Sequence, residues 1–120
     1  MTFKRKITLL ILALPVIYLV VSGYRFRADY KDHMLRARET VLVENLQRMR
    51  QVIHDYRDDK KRYPANINTL IEEGYLRTYP IDPITRRKDT WIQIKTSEGL
   101  VNVKSGAKGH TLDDNSYGTL

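Results

Sequence analysis

ITLLILALPVIYLVVSGY, residues 7–24, decides the architecture of this chain. The stretch carries no charge, and only Thr8, Pro15, Tyr18, Ser22, Gly23 and Tyr24 interrupt its aliphatic side chains. At about 1.5 Å per residue, a helix of this length spans about 27 Å, close to the hydrocarbon thickness of a bilayer. The core helix of a small soluble domain shows a polar face, and this stretch has none. Pro15 is no bar, because membrane helices tolerate proline. A cleavable leader would use Lys4, Arg5 and Lys6 as its basic flank. The apolar run is long for such a leader, and Ser22-Gly23-Tyr24-Arg25 offers only a weak small-residue cleavage site. Residues 7–24 are therefore read as a transmembrane helix.

Outward from this span the chain divides simply. Residues 1–6 form a short basic tail ending in Lys4, Arg5 and Lys6, and Arg25, Arg27 and Lys31 follow the span. Lysine and arginine on both sides leave little asymmetry, but a tail this short stays in the cytoplasm while the larger part is translocated. The expected location is a bacterial inner membrane, crossed once, with the C-terminal domain in the periplasm. The chain has 120 residues and no cysteine, which leaves room for one domain and excludes disulfides, thiolate metal sites and a cysteine nucleophile. Net charge is +7. Three of those charges sit in the tail, and the remaining excess is too modest to argue for nucleic acid.

Neither proline nor glycine occurs from Arg25 to Lys61. Leu35, Leu42, Leu46, Met49, Ile53 and Tyr56 recur at helical spacing, so an amphipathic helix is expected to continue out of the membrane to about Asp58. Residues 25–40 read as a solvated stalk with almost no apolar face. Residues 41–120 read as the folded domain. Arg38, Glu39, Glu44, Arg48, Arg50 and Asp55 are assigned to the helix's solvated face, with Glu44 and Arg48 as an i,i+4 pair. The stripe covers about two heptads, too few for a coiled coil, so it is expected to face its own domain.

Arg57–Arg62, RDDKKR, ends the helix before Tyr63-Pro64. Asn68 is a candidate N-cap for a short helix through Leu70 and Ile71, stopped by Gly74. Tyr79-Pro80-Ile81-Asp82-Pro83 is a fixed extended crossing. Trp91–Lys95 and Leu100–Lys104 alternate and are joined through Gly99, which predicts an antiparallel hairpin. Ile92 and Ile94, with Val101 and Val103, are expected to cover the helix stripe. Residues 105–120 read as an irregular tail. The fold class is α+β: a long transmembrane and amphipathic helix on a small antiparallel sheet.

Several of these pieces together resemble one family. ARETVLVENLQRMRQVIHDY, then RYP, then LIEEGYLRTYPIDPITRRKDTW, then VNVKSGAKG with LDDNSY are similar, in this order, to the globular part of the type II secretion pseudopilins. The likeness is to the major pseudopilin, protein G, of the type IV pilin-like family. It covers about two-thirds of the chain, and GYLRTYPIDP followed by DTW is its most specific part. It implies a pilin-like fold and a non-enzymatic subunit of a protein-export apparatus. Its implied partners are the membrane, other pseudopilins or secretion-system proteins, and further copies of itself. The N-terminus departs from the family pattern. Lys6 stands where the cleavage glycine belongs, Ile7 at the phenylalanine and Ile11 at the glutamate. The chain then reads as a pseudopilin-like domain on an uncleaved anchor.

The same resemblance implies calcium held in a C-terminal loop. Asp113 and Asp114 match the paired aspartates of that loop, and Lys108 stands where a third carboxylate would be. Calcium wants six to eight oxygens, and two adjacent carboxylates rarely suffice. No other cofactor is expected. His33, His54 and His110 share no metal spacing, the serines lie in no nucleophile motif, and no Gly-rich phosphate loop is present, so no catalytic residue is assigned. Two other readings remain open. Lys60-Lys61-Arg62 and Arg86-Arg87-Lys88, with Tyr63 and Trp91 nearby, would suit a DNA-binding minor pilin. A stand-alone envelope domain that binds a protein partner is the third.

Overall fold

The computed structural model describes residues 3–120, so Met1 and Thr2 of the basic tail lie outside the described residues. Helix α1 runs from Phe3–Lys60, α2 from Ile67–Glu72, β1 from Ile92–Thr96 and β2 from Gly99–Lys104. A single 3-10 turn, Tyr117–Thr119, comes near the end. The class is α+β. Two compact units are distinguished, Met1–Met34 and Leu35–Leu120.

The first unit is helix alone. α1 is long and apolar enough here to cross a membrane, and none of its most apolar window is buried by protein. A helix that is apolar all round and uncovered finds its favourable solvent in lipid. Pro15 lies within the helix and does not end it.

The second unit is built on the stripe expected from the sequence. Leu42, Leu46, Met49, Ile53 and Tyr56 are all buried. They pack in one cluster with Ile67, Leu70, Leu76, Trp91, Leu100, Val103 and Tyr117. Tyr75 meets Tyr56 edge to face, with ring centroids 5.1 Å apart. Its hydroxyl donates to Asp59 at 2.8 Å. That bond, to a carboxylate that would repel a phenolate, pushes the Tyr75 pKa up to about 12.

The short helix begins elsewhere than the sequence suggested. Asn66, not Asn68, is the N-cap, and its side chain accepts from the Thr69 N–H at 2.9 Å. Asn68 lies inside the helix and is exposed. Starting the helix at Asn66 lets both Ile67 and Leu70, three residues apart, face the core. The stop at Gly74 is as expected. Gly74 has φ +81°, its N–H reaches the Ile71 carbonyl at 3.1 Å, and the Tyr75 N–H reaches Leu70 at 2.8 Å. That pair of bonds is a Schellman ending.

The hairpin is present with Val103 buried as expected, but the faces of β1 are exchanged. Ile92 is 51% exposed and Ile94 half-buried, whereas Trp91 is buried and Gln93 turns inward to accept the Ile67 N–H at 3.1 Å. On β2, Leu100 and Val103 are buried although three residues apart. The register shifts between Ile94 and Lys95, so Ile94 pairs with Asn102 and Lys95 with Leu100. Val101 is the extra residue of this bulge, which lets odd-spaced side chains share a face. Gly99 has φ +121°, and a Cβ there would stand 2.7 Å from the Pro64 carbonyl oxygen. That close approach allows the Leu100 N–H to bond Pro64 at 2.8 Å, joining hairpin to turn.

Two residues assigned to the solvated face of α1 are not solvated. Arg50 is half-buried: its Nε donates to Asn102 at 2.9 Å, and Nη2 donates to the main-chain oxygens of Val103 at 3.1 Å and Leu120 at 2.6 Å. Glu39 is buried. Glu44 and Arg48, expected to pair, form no ion pair among the described residues. In an exposed pair a few tenths of a kcal/mol do not fix two long side chains.

Candidate functional site

Three polar anchors hold the irregular segments, and they define where a site can lie. Asp82 is fully buried in the extended crossing. One carboxylate oxygen accepts the N–H groups of Ile84 (2.8 Å) and Thr85 (3.2 Å), and the other accepts from the Ser105 hydroxyl at 2.6 Å. Ser105 in turn accepts the Ala107 N–H at 3.1 Å. Trp91 Nε1 donates to the Pro80 carbonyl at 2.9 Å. The crossing, the tryptophan and the loop after β2 are thus fastened together. Ser105 is spent on this bond and is a structural residue.

Glu39 is the second anchor. Its Oε1 accepts from the Leu112 N–H at 3.0 Å and the Tyr117 hydroxyl at 3.1 Å. Burial and then the Glu39 carboxylate raise the pKa of Tyr117, which therefore remains a donor. The sequence did contain a signal for this. Glu39 lies three residues before Leu42 and continues the buried stripe, so a carboxylate stands at a core position and needs donors. Arg50 is the third anchor, through the bonds to Asn102, Val103 and Leu120 already described.

Between Glu39 and the C-terminal loop lies an open hollow of about 300 Å³, lined in part by Arg36, Glu44, Thr111, Asp113 and Asn115. The loop closes on itself: the Thr111 N–H bonds Asn115 at 2.8 Å and the Asp114 N–H bonds Thr111 at 3.0 Å, with Asp114 at φ +61°. Asp113 is exposed and stands 3.8 Å from Arg36 Nη1. Asp114 and Lys108 are exposed. The two aspartates are neighbours in one turn, but one faces a guanidinium. Among the described residues no three His, Cys, Asp or Glu side chains gather in an arrangement that could hold a metal ion. Addition of calcium or of a chelator is expected to move the melting temperature of the chain in detergent by little. A rise of many degrees at micromolar calcium would show that Asp113 and Asp114 hold the ion.

Lys60, Lys61, Arg62, Arg86 and Lys88 are exposed, while Arg87 and the aromatic rings near the basic runs are engaged within the domain. Trp91 is buried and cannot stack on a base. Arg87 forks onto Asp89, Nε at 2.8 Å and Nη2 at 2.5 Å. This hydrogen-bonded contact holds the Asp89 carboxyl below its usual range and raises Arg87. Arg57 lies over the Tyr63 ring, 5.0 Å from its centroid, so that ring already carries a cation. His33, His54 and His110 are all exposed, as expected, and His54 stands 3.1 Å from Asp58.

No family model, no curated protein and no solved structure matches this chain.

Proposed function

We propose that this protein is a membrane-anchored, non-enzymatic subunit of a protein-export assembly, pilin-like in fold and similar to the type II secretion pseudopilins. The observation that carries the reading is the single helix Phe3–Lys60. It contains an uncovered apolar stretch long enough for a bilayer and, further along, the stripe on which the domain's core is built. A domain whose main core helix also serves as its anchor suits a subunit that acts by position and contact. The resemblance through GYLRTYPIDP and DTW supplies the kind of assembly. A periplasmic location belongs to the same reading; calcium does not, because Asp113 faces Arg36 and no third carboxylate joins Asp113 and Asp114 among the described residues.

Lys6 and Ile11, at the glycine and glutamate positions of the family pattern, favour a second reading: a stand-alone envelope domain that binds a protein partner. Buried Trp91 and paired Arg87 argue against the DNA-binding reading. One experiment separates these. The full-length chain should resist carbonate extraction from membranes with its start intact, and cross-linking in cells should join it to other pilin-like subunits or to itself. Its deletion should impair export of secreted proteins. A mature chain beginning at Ile7 or beyond the apolar run would remove the uncleaved anchor. Normal export with capture of unrelated envelope proteins would favour the stand-alone domain.

A further inference from the structure

A notch in the side of α1 lies where the apolar run meets the first cations. Gly23 leaves open space, with nothing within 4 Å of the position a Cβ would take. Around it Leu19, Val20, Tyr24 and Arg27 line a hollow of about 250 Å³. Leu19, Gly23 and Arg27 follow one another at intervals of four, so they lie in a row on one helix face. Along that row the chemistry changes from hydrocarbon through a gap to a guanidinium. Tyr24 is 71% exposed beside it, and Arg27 makes no ion pair among the described residues.

We propose that this notch binds one anionic phospholipid. An acyl chain lies against Leu19 and Val20 in the space over Gly23, and the lipid phosphate meets the Arg27 guanidinium, with the Tyr24 hydroxyl as a second donor. The inference rests on the membrane-anchored reading. Three features favour lipid over a neighbouring helix as the occupant. The gap is apolar at one end and cationic at the other, which is the polarity of a phospholipid and not of a helix flank. A guanidinium forks onto phosphate oxygens in a geometry that few other groups match. Tyrosine with arginine at the edge of an apolar span is the composition of a membrane interface, where aromatic rings sit at headgroup depth. Arg25, two residues away, points to nearly the opposite side of the helix.

The test uses the full-length chain reconstituted in phosphatidylcholine vesicles containing a minor fraction of phosphatidylglycerol. Spin-labelled lipids of each headgroup report which one the helix immobilises. The wild-type chain should hold the labelled phosphatidylglycerol several-fold more strongly than phosphatidylcholine. Arg27→Gln should abolish the preference, and Gly23→Leu, which fills the notch, should reduce immobilisation of both lipids at this site. Arg25→Gln, with the same change of charge, should leave the preference in place. Equal loss from Arg25→Gln and Arg27→Gln would mean a diffuse surface potential and would overturn the site, as would equal affinity for the two headgroups in the wild type. A shift to oligomers that Gly23→Leu abolishes would assign the notch to helix packing instead. Chain that carbonate strips from vesicles of both compositions would fail the membrane reading itself, a result distinct from loss of headgroup preference in an inserted chain.

Discussion

Ile53→Asp is expected to unfold the domain. Ile53 is 2% exposed at the centre of the stripe, between Met49 and Tyr56. A carboxylate there is surrounded by hydrocarbon and has no donor to meet it. Burying an unpaired charge costs several kcal/mol even after relaxation, a large share of the about 5–15 kcal/mol that stabilises an ordinary domain. The chain has one tryptophan, Trp91, and it is buried, so its emission reports the domain while the membrane helix stays formed. The variant in detergent should show the red-shifted emission of an exposed indole without denaturant. Arg50→Glu, three residues away, should also be destabilising, by about 2–3 kcal/mol or more, because three hydrogen bonds of a charged donor are lost, each of about 1.5–3 kcal/mol before relaxation. A stable Ile53→Asp chain with native emission would mean that the stripe is a seam between molecules and not a core.

Asp82→Ala should cost about 3 kcal/mol or more. The substitution strips three donors of their acceptor at once: the N–H groups of Ile84 and Thr85 and the Ser105 hydroxyl. Leaving a buried donor unsatisfied costs about 1–3 kcal/mol each, although part of the loss is relieved where the crossing loosens and admits water. Asp82→Asn should be milder, since its amide oxygen can still serve the two N–H groups. Ser105→Ala in the Asp82→Ala background should add less than it does alone, because the hydroxyl's partner is already gone. Urea midpoints of the four chains, followed by Trp91 emission, give the cycle. Additive losses would show that Asp82 and Ser105 do not act through their 2.6 Å bond.

The sequence by itself determined the elements whose physics is local. Residues 7–24 are apolar on every side, and the helix they form is left uncovered by protein. The stripe from Leu42 to Tyr56 has only one helical face, and that face is the one buried. Gly74 ends α2 because its φ of +81° is one that side chains resist. The alternation in Trp91–Lys95 correctly paired the residues into two sides, yet it is symmetric and cannot say which side is inward. Tertiary structure decided that. A bulge at Val101 puts Leu100 and Val103 on one face, and Trp91 follows them inward because Pro80 offers its indole an acceptor. It also decided the fate of the polar residues. Glu39 and Arg50 read as surface charges, and Asp82 as no more than part of an extended crossing, because their partners lie distant in the chain: Tyr117 for Glu39, Val103 and Leu120 for Arg50, Ser105 for Asp82. A charge is buried only where folding brings donors or acceptors to it, and spacing along the sequence does not encode that meeting.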